Sequence, residues 1–277
     1  MSETADHKTV GGYLRWLQSF ARRHSVRSTL GVTAVLSIAL YLFPGVDLAM
    51  TRLFYSDQTG FYARHAWFLV ELRALGLFTF QLACIAGLVS LIGPLLFSGA
   101  RVLLPARAGL FITLSALLGP GLVVNVILKG LWGRARPSNV YDFGGDHVFT
   151  PPWVISNACE WNCSFVSGEA SSSMMLIAFA MIAPLTWRVP MVAATLVYVF
   201  AMSLNRIAFG GHFLSDVVLG WLITLTIVLL VHRMIYRPGS PLTEEAIAGA
   251  LGRTGDRIKA GVARGAVLLR DRFQRLR

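Results

Sequence analysis

Apolar residues in this chain gather into long unbroken runs rather than alternating with polar ones. Six runs are long enough, or nearly so, to cross a hydrocarbon core, which takes about 20 helical residues. They cover residues 30–48, 75–97, 108–128, 167–185, 189–204 and 213–231, the fifth and then the sixth being short. Only helices satisfy their own backbone within such a run. The pattern therefore predicts an all-α fold: a six-span transmembrane helical bundle. Within the third run, Gly119-Pro120-Gly121 should kink or locally unwind the helix. The chain shows no internal repeat and no low-complexity tract. It reads as an N-terminal segment (1–29), one membrane domain (30–232) and a basic tail (233–277).

The tail has a different period. Ile258, Val262, Leu269, Phe273 and Leu276 recur at helical spacing with arginines on the other faces. That predicts a basic amphipathic C-terminal helix lying on an anionic cytoplasmic leaflet.

Composition agrees. Of 277 residues, 55% are hydrophobic and 14% charged, which is the membrane class rather than a water-soluble domain. Twenty-five basic residues against fourteen acidic ones leave a net charge of +11. No basic stripe is interleaved with aromatics in a soluble module, so no nucleic-acid partner is expected. The excess speaks to topology and to anionic lipid instead. The first apolar run lacks a small-residue cleavage site and reads as a retained anchor. With six spans, eighteen Lys/Arg fall on the side of the termini and seven on the other. Positive charge stays inside, so the termini are expected in the cytoplasm. The loops after the first, third and fifth spans then face outward.

Of three cysteines, Cys84 lies inside an apolar run and reads as a small buried residue. Cys159 and Cys163 flank Glu160-Trp161-Asn162 in a polar connection. A short disulfide loop and two free thiols both stand open.

Three polar segments arrive at the outer face. The first is KGLWGRARP, with Lys129 one turn after Asn125 and Arg136 before Pro137. Alone, it reads as a snorkelling lysine and headgroup arginines. The second is VSGE, where Ser167 caps the fourth run, Gly168 admits close approach, and Glu169 sits at the mouth of the span. Alone, it is an ordinary helix start. The third is NRIAFGGHFLSD, with Arg206, then His212, then Asp216 four residues on, so that imidazole and carboxylate share a helical face. A carboxylate can hold one ring nitrogen protonated and leave the other free to attack. Taken together, the segments supply three cations, neutral donors and a His–Asp pair. That set fits a tetrahedral oxyanion such as phosphate. No metal-ligand cluster and no Walker-type glycine loop occurs, and no cofactor is expected.

These motifs resemble those of the type 2 phosphatidic acid phosphatase superfamily, the integral-membrane lipid phosphate phosphatases. Its K-x6-RP stands here as Lys129 to Arg136-Pro137. Its S-R-x5-H-x3-D stands as Asn205-Arg206, His212 and Asp216, with Asn in place of Ser. Its P-S-G-H is altered twice, with Val166 for Pro and Glu169 for His. The resemblance implies that His212 attacks phosphorus to form a phosphohistidine and that Asp216 orients it. It also implies that Lys129, Arg136, Arg206 and the Ser167–Gly168 amides bind the phosphoryl oxygens, and that no metal is needed. Glu169 stands where the family's general acid belongs. Three outcomes stay open: Glu169 is the acid, His147 reaches in to replace it, or the leaving-group step is impaired. The first is favoured.

The implied substrates are lipid phosphates in the outer leaflet of a bacterial inner membrane, met at a periplasmic site. Undecaprenyl diphosphate, phosphatidylglycerol phosphate, phosphatidic acid and lipid A phosphates all qualify. Loop 134–166, with Phe149, Trp153 and Trp161, is the expected lid or headgroup reader. Two rival classes remain: a lipid-to-lipid phosphotransferase and a catalytically impaired lipid-phosphate binder.

Overall fold

The computed structural model describes the backbone of residues 10–96 and 104–274 and the side chains of 25–96 and 104–266. Eight helices are followed here: α1 (Val10–Leu42), α2 (Gly45–Arg52), α3 (Trp67–Leu96), α4 (Ala106–Leu131), α5 (Gly168–Ile182), α6 (Leu185–Ala208), α7 (Leu214–Tyr236) and α8 (Glu244–Gln274). The fold is an all-α membrane bundle. Among the described residues, five helices are long and apolar enough to span: Ser25–Leu42 of α1, then α3, α4, α6 and α7. Helix α5 is the shorter sixth, loosened at Leu176.

The differences from the sequence reading have local causes. The first span ends at Leu42, and Pro44 starts the separate helix α2, which carries Asp47 inward. Helix α3 begins at Trp67, not near 75, because Glu71 and Arg73 ride on its polar end. Helix α6 likewise outruns the expected 189–204 at both ends. The Gly-Pro-Gly expectation holds: residues Leu117–Leu128 widen to a π-helix around Pro120. The Asn125 amide donates to the carbonyl of Pro120 at 2.7 Å, partnering an oxygen in the widened turn.

Helix α5 sits between α6 and α7, and α4 packs on α3 and α7. The core between them is apolar, with Phe111, Met175, Ala178, Val228 and Ile235 buried. Val35, Ile38, Phe78, Val197 and Phe200 point outward from α1, α3 and α6, as lipid-facing residues do.

Helix α8 forms as the tail's periodicity predicts. Its start is docked: the Glu244 carboxylate accepts from the N–H groups of Ala106 at 2.9 Å and Arg107 at 2.8 Å, capping α4. Gly255 passes against the Leu95 carbonyl, where a Cβ would collide. Ile258 and Val262 remain exposed. Arg101 and Leu276, and the side chains of Leu269 and Phe273, lie outside the described residues.

Candidate active site

At the end of α4 the chain must turn sharply. Gly133 does this with φ +63°, against the Ser156 carbonyl, where no side chain fits. The following residues then pair with the returning loop. Ser156 N–H donates to Trp132 O and Ser164 N–H to Arg134 O, each at 2.9 Å. Trp153 packs edge to face on both Trp132 and Phe165, and the latter two rings meet at a tilt. Ser167 N–H donates to Asp216 O at 2.9 Å, and Gly220 lets α7 approach the Ser167 carbonyl. The ends of α4 and α6 and the starts of α5 and α7 thereby meet at one end of the bundle.

Three cations gather there. A Cβ on Gly168 would lie 2.7 Å from Asn125 Oδ1 and 3.2 Å from Lys129 Nζ, so the missing side chain makes room for the ammonium over the first turn of α5. Lys129 Nζ donates to Asn162 Oδ1 at 3.0 Å, and Arg136 Nη2 to Asn162 O at 2.7 Å. Arg206 is buried, with its Nε 2.5 Å from Glu169 Oε2 in an ion pair. Its Nη1 has no hydrogen-bond partner among the described residues. Arg73, from α3, meets the other oxygen of Glu169 at 3.1 Å. Ser167 caps α5, accepting from Ala170 N at 3.4 Å.

His212, in the α6–α7 connection, is buried with Nδ1 2.8 Å from the Ser164 carbonyl. A carbonyl only accepts, so Nδ1 carries the proton and Nε2 keeps its lone pair. Burial, then the charges of Lys129, Arg206 and Arg136, pushes the imidazole well below its ordinary 6.5, and the bond to Ser164 only partly offsets this. The neutral imidazole, with Nε2 unprotonated, is thus the form favoured near neutrality.

Asp216 does not hold His212 directly, contrary to the i,i+4 expectation. Its Oδ2 lies 3.9 Å from Nδ1, beyond hydrogen-bond reach. The carboxylate turns instead to Ser164 Oγ at 2.5 Å, Phe213 N at 2.8 Å and Arg134 Nη1 at 2.6 Å. It therefore fixes Ser164, whose carbonyl fixes His212. Arg134 is fully buried, faces Phe213 and Phe149 with its guanidinium, and also bonds Ser215 Oγ and Asp47 Oδ2, both at 2.8 Å. Asp47 accepts from Ser215 N–H at 2.7 Å. Sequence reasoning missed Asp47, Arg134 and Ser164. A carboxylate at the edge of an apolar run, costly unless paired, was the signal for Asp47.

His147 pairs with Asp146 at 3.5 Å and shares no described contact with Glu169 or His212, so it does not reach into the site. Of the three loop aromatics, Phe149 stacks on Phe213 and Trp153 on Phe165, so both build the loop's underside rather than a lid. Trp161 alone of the three is fully outside, at 76% exposure. Cys159 and Cys163 are joined in a disulfide, with Cα atoms 5.6 Å apart, and the closed loop carries Asn162.

All three motifs lie within residues 108–240, the stretch matched by the family model described as the PAP2 superfamily. A lipid A 4'-phosphatase of Francisella tularensis subsp. novicida is 34% identical over 202 residues, covering 72% of this chain and 90% of that protein. The chain belongs to the PAP2 superfamily. Two further relatives also carry the name lipid A 4'-phosphatase. That of Rhizobium etli is 38% identical over 204 residues (67% of this chain, 77% of that protein). That of Rhizobium leguminosarum is 42% identical over 111 residues (40% and 48%). No solved structure matches. Asp47 and Arg73 lie outside the PAP2-matched stretch yet reach its site residues.

Proposed function

We propose that this protein removes a phosphate monoester from lipid A, at the periplasmic face of a bacterial inner membrane, through a phosphohistidine on His212. Membership of the superfamily, with relatives all named lipid A 4'-phosphatase, makes the chain a membrane lipid phosphatase, a hydrolase of phosphoric monoesters. The proposal concerns the substrate, the side and the chemical steps.

His212 Nε2 attacks phosphorus. The P–N bond forms as the P–O bond to the lipid breaks. Lys129, Arg136 and Arg206 hold the three non-bridging oxygens, with the N–H groups of the α5 start beneath them. The phosphoryl group takes over Arg206 from Glu169. The lipid phosphate binds as its monoanion, its proton passes to the freed Glu169 carboxylate, and the carboxyl group so formed gives that proton to the departing lipid oxygen. Glu169 then takes a proton from water, whose oxygen attacks phosphorus. The P–N bond breaks, phosphate leaves and the Nε2 lone pair returns. These steps draw on protein groups alone.

The observation that carries the reading is the buried Arg206 Nη1, which has no partner among the described residues, near two further cations and a neutral imidazole. A fully buried guanidinium nitrogen lacking an acceptor is costly and calls for an anion. The periplasmic placement rests on the charge count of eighteen against seven. Residues 30–232 form the catalytic unit in this reading, and 233–277 bind the anionic cytoplasmic leaflet through α8.

The test is phosphate release in proteoliposomes. Lipid A is compared with undecaprenyl diphosphate, phosphatidylglycerol phosphate and phosphatidic acid, with His212→Ala as control. Release from lipid A by wild type but not by the variant is expected, along with a base-stable, acid-labile phosphoprotein. Release from another lipid only overturns the substrate. Phosphate found on an acceptor lipid instead of in solution makes the protein a phosphotransferase.

A further inference from the structure

A cavity of about 350 Å³ opens beside the phosphate cradle, lined by Arg136, Asn139, Ala158, Cys159, Trp161 and Asn162. Two of these residues are shared with the cradle: Arg136 is one of its cations, and Asn162 orients both Arg136 and Lys129. A group in the cavity therefore lies next to the phosphate bound by those cations. We infer that this cavity seats the sugar ring that carries the scissile phosphate, and that Trp161 is its stacking platform. The inference rests on the substrate reading above.

The lining argues against an acyl chain. A guanidinium and two carboxamides would be left without partners against a hydrocarbon tail. The volume lies at the low end of ligand sites and suits one ring rather than a larger headgroup. Asn139 Oδ1 already accepts from Ser138 at 2.9 Å, and Asn162 Oδ1 from Lys129 at 3.0 Å. Both amide nitrogens are thus left to donate to oxygens borne by the ring, since among the described residues nothing accepts from them. Trp161 is 76% exposed, although Trp132 and Trp153 in the same region pack into one another. An indole held at a polar cavity by the Cys159–Cys163 loop gives a pyranose a flat apolar face, while the ring's oxygen-bearing edge meets the amides. A lipid A phosphate sits on such a ring; that of phosphatidic acid does not.

The experiment uses the full chain in proteoliposomes. Trp161→Ala, Trp161→Phe and Asn139→Ala are compared with wild type on lipid A and on phosphatidic acid. Inhibition by inorganic phosphate reports separately on the cradle. Trp161→Ala is expected to lower kcat/KM on lipid A about tenfold, mainly through KM, as the loss of one aromatic contact would. Phe should recover most of that, and phosphate inhibition should stay as in wild type. Unchanged kcat/KM on lipid A overturns the inference. So does an equal loss on both lipids, or weakened phosphate inhibition, because those mark a membrane anchor or a collapsed loop. Wild type that cleaves phosphatidic acid and not lipid A overturns the substrate reading, and the sugar seat with it.

Discussion

Arg134 Nη1 donates to Asp216 Oδ1 at 2.6 Å, and neither side chain is exposed to solvent. The same guanidinium bonds Asp47 from α2, so one cation serves two buried carboxylates. Asp216 in turn accepts from Ser164 Oγ, and the Ser164 carbonyl accepts from His212 Nδ1. Removing Arg134 strands both acids. Arg134→Ala should cost about 3–5 kcal/mol of stability, the usual penalty for breaking a buried pair, seen as a lower melting temperature. Asp47→Asn keeps the shape and removes one charge. It should lower kcat with KM unchanged, because Asp47 contacts Arg134 and Ser215 behind His212, the proposed nucleophile, and none of the cations proposed to bind phosphate.

His212 predicts a pH dependence of definite sign. Unfolded, the imidazole binds a proton near pH 6.5; folded, it does so only at lower pH, for reasons of burial first and neighbouring cations second. Its contribution to stability is therefore complete above pH 6.5 and drains as pH falls from there through the folded pKa. The acid limb of kcat/KM should lie below pH 6.5. Melting temperatures taken down to about pH 5 should fall less for His212→Gln than for wild type, if the buried imidazole is the source.

Glu169 is tested by its leaving group. Glu169→Gln should slow phosphate release from lipid A by about 10²-fold or more, the range for a lost general acid. An aryl phosphate, whose leaving group departs unprotonated, should be hurt far less. Glu169→His should restore activity. If Gln equals wild type across pH, the carboxyl group serves only to pair Arg73 and Arg206.

Asn162 holds Lys129 and Arg136, two of the cations proposed to bind phosphate, from within the disulfide loop. Opening the bridge, with Cys159→Ser and Cys163→Ser together, should raise KM by about fivefold, the order expected for freeing one side chain. The same rise should follow addition of a reductant to wild type and be absent when it is added to the double variant.

Much of this was legible along the chain. Lys129, Arg136, Ser167, Gly168, Arg206 and His212 do converge at one end of the bundle, because each sits where an apolar run stops and a helix end can face polar surroundings. Asp216 shows where spacing misled. Its i,i+4 relation to His212 was real, but rotamers, not spacing, choose among neighbours, and Arg134 and Ser164 offered stronger bonds. Phe149 and Trp153 looked like surface readers because a loop has no periodicity from which to infer burial.

Sequence by itself determined the membrane class, the all-α architecture and the order of the three motifs. Run length, charge asymmetry and motif spacing are local properties, and a helix carries them intact into the fold. Tertiary structure alone decided that Asp47 and Arg73, from helices outside the matched region, complete the site, that Glu169 lies between two guanidiniums, and that Ser164 stands between Asp216 and His212. Those are contacts between residues 37 to 96 positions apart. No local pattern encodes them, since they depend on how whole helices pack and on which buried charge finds which partner.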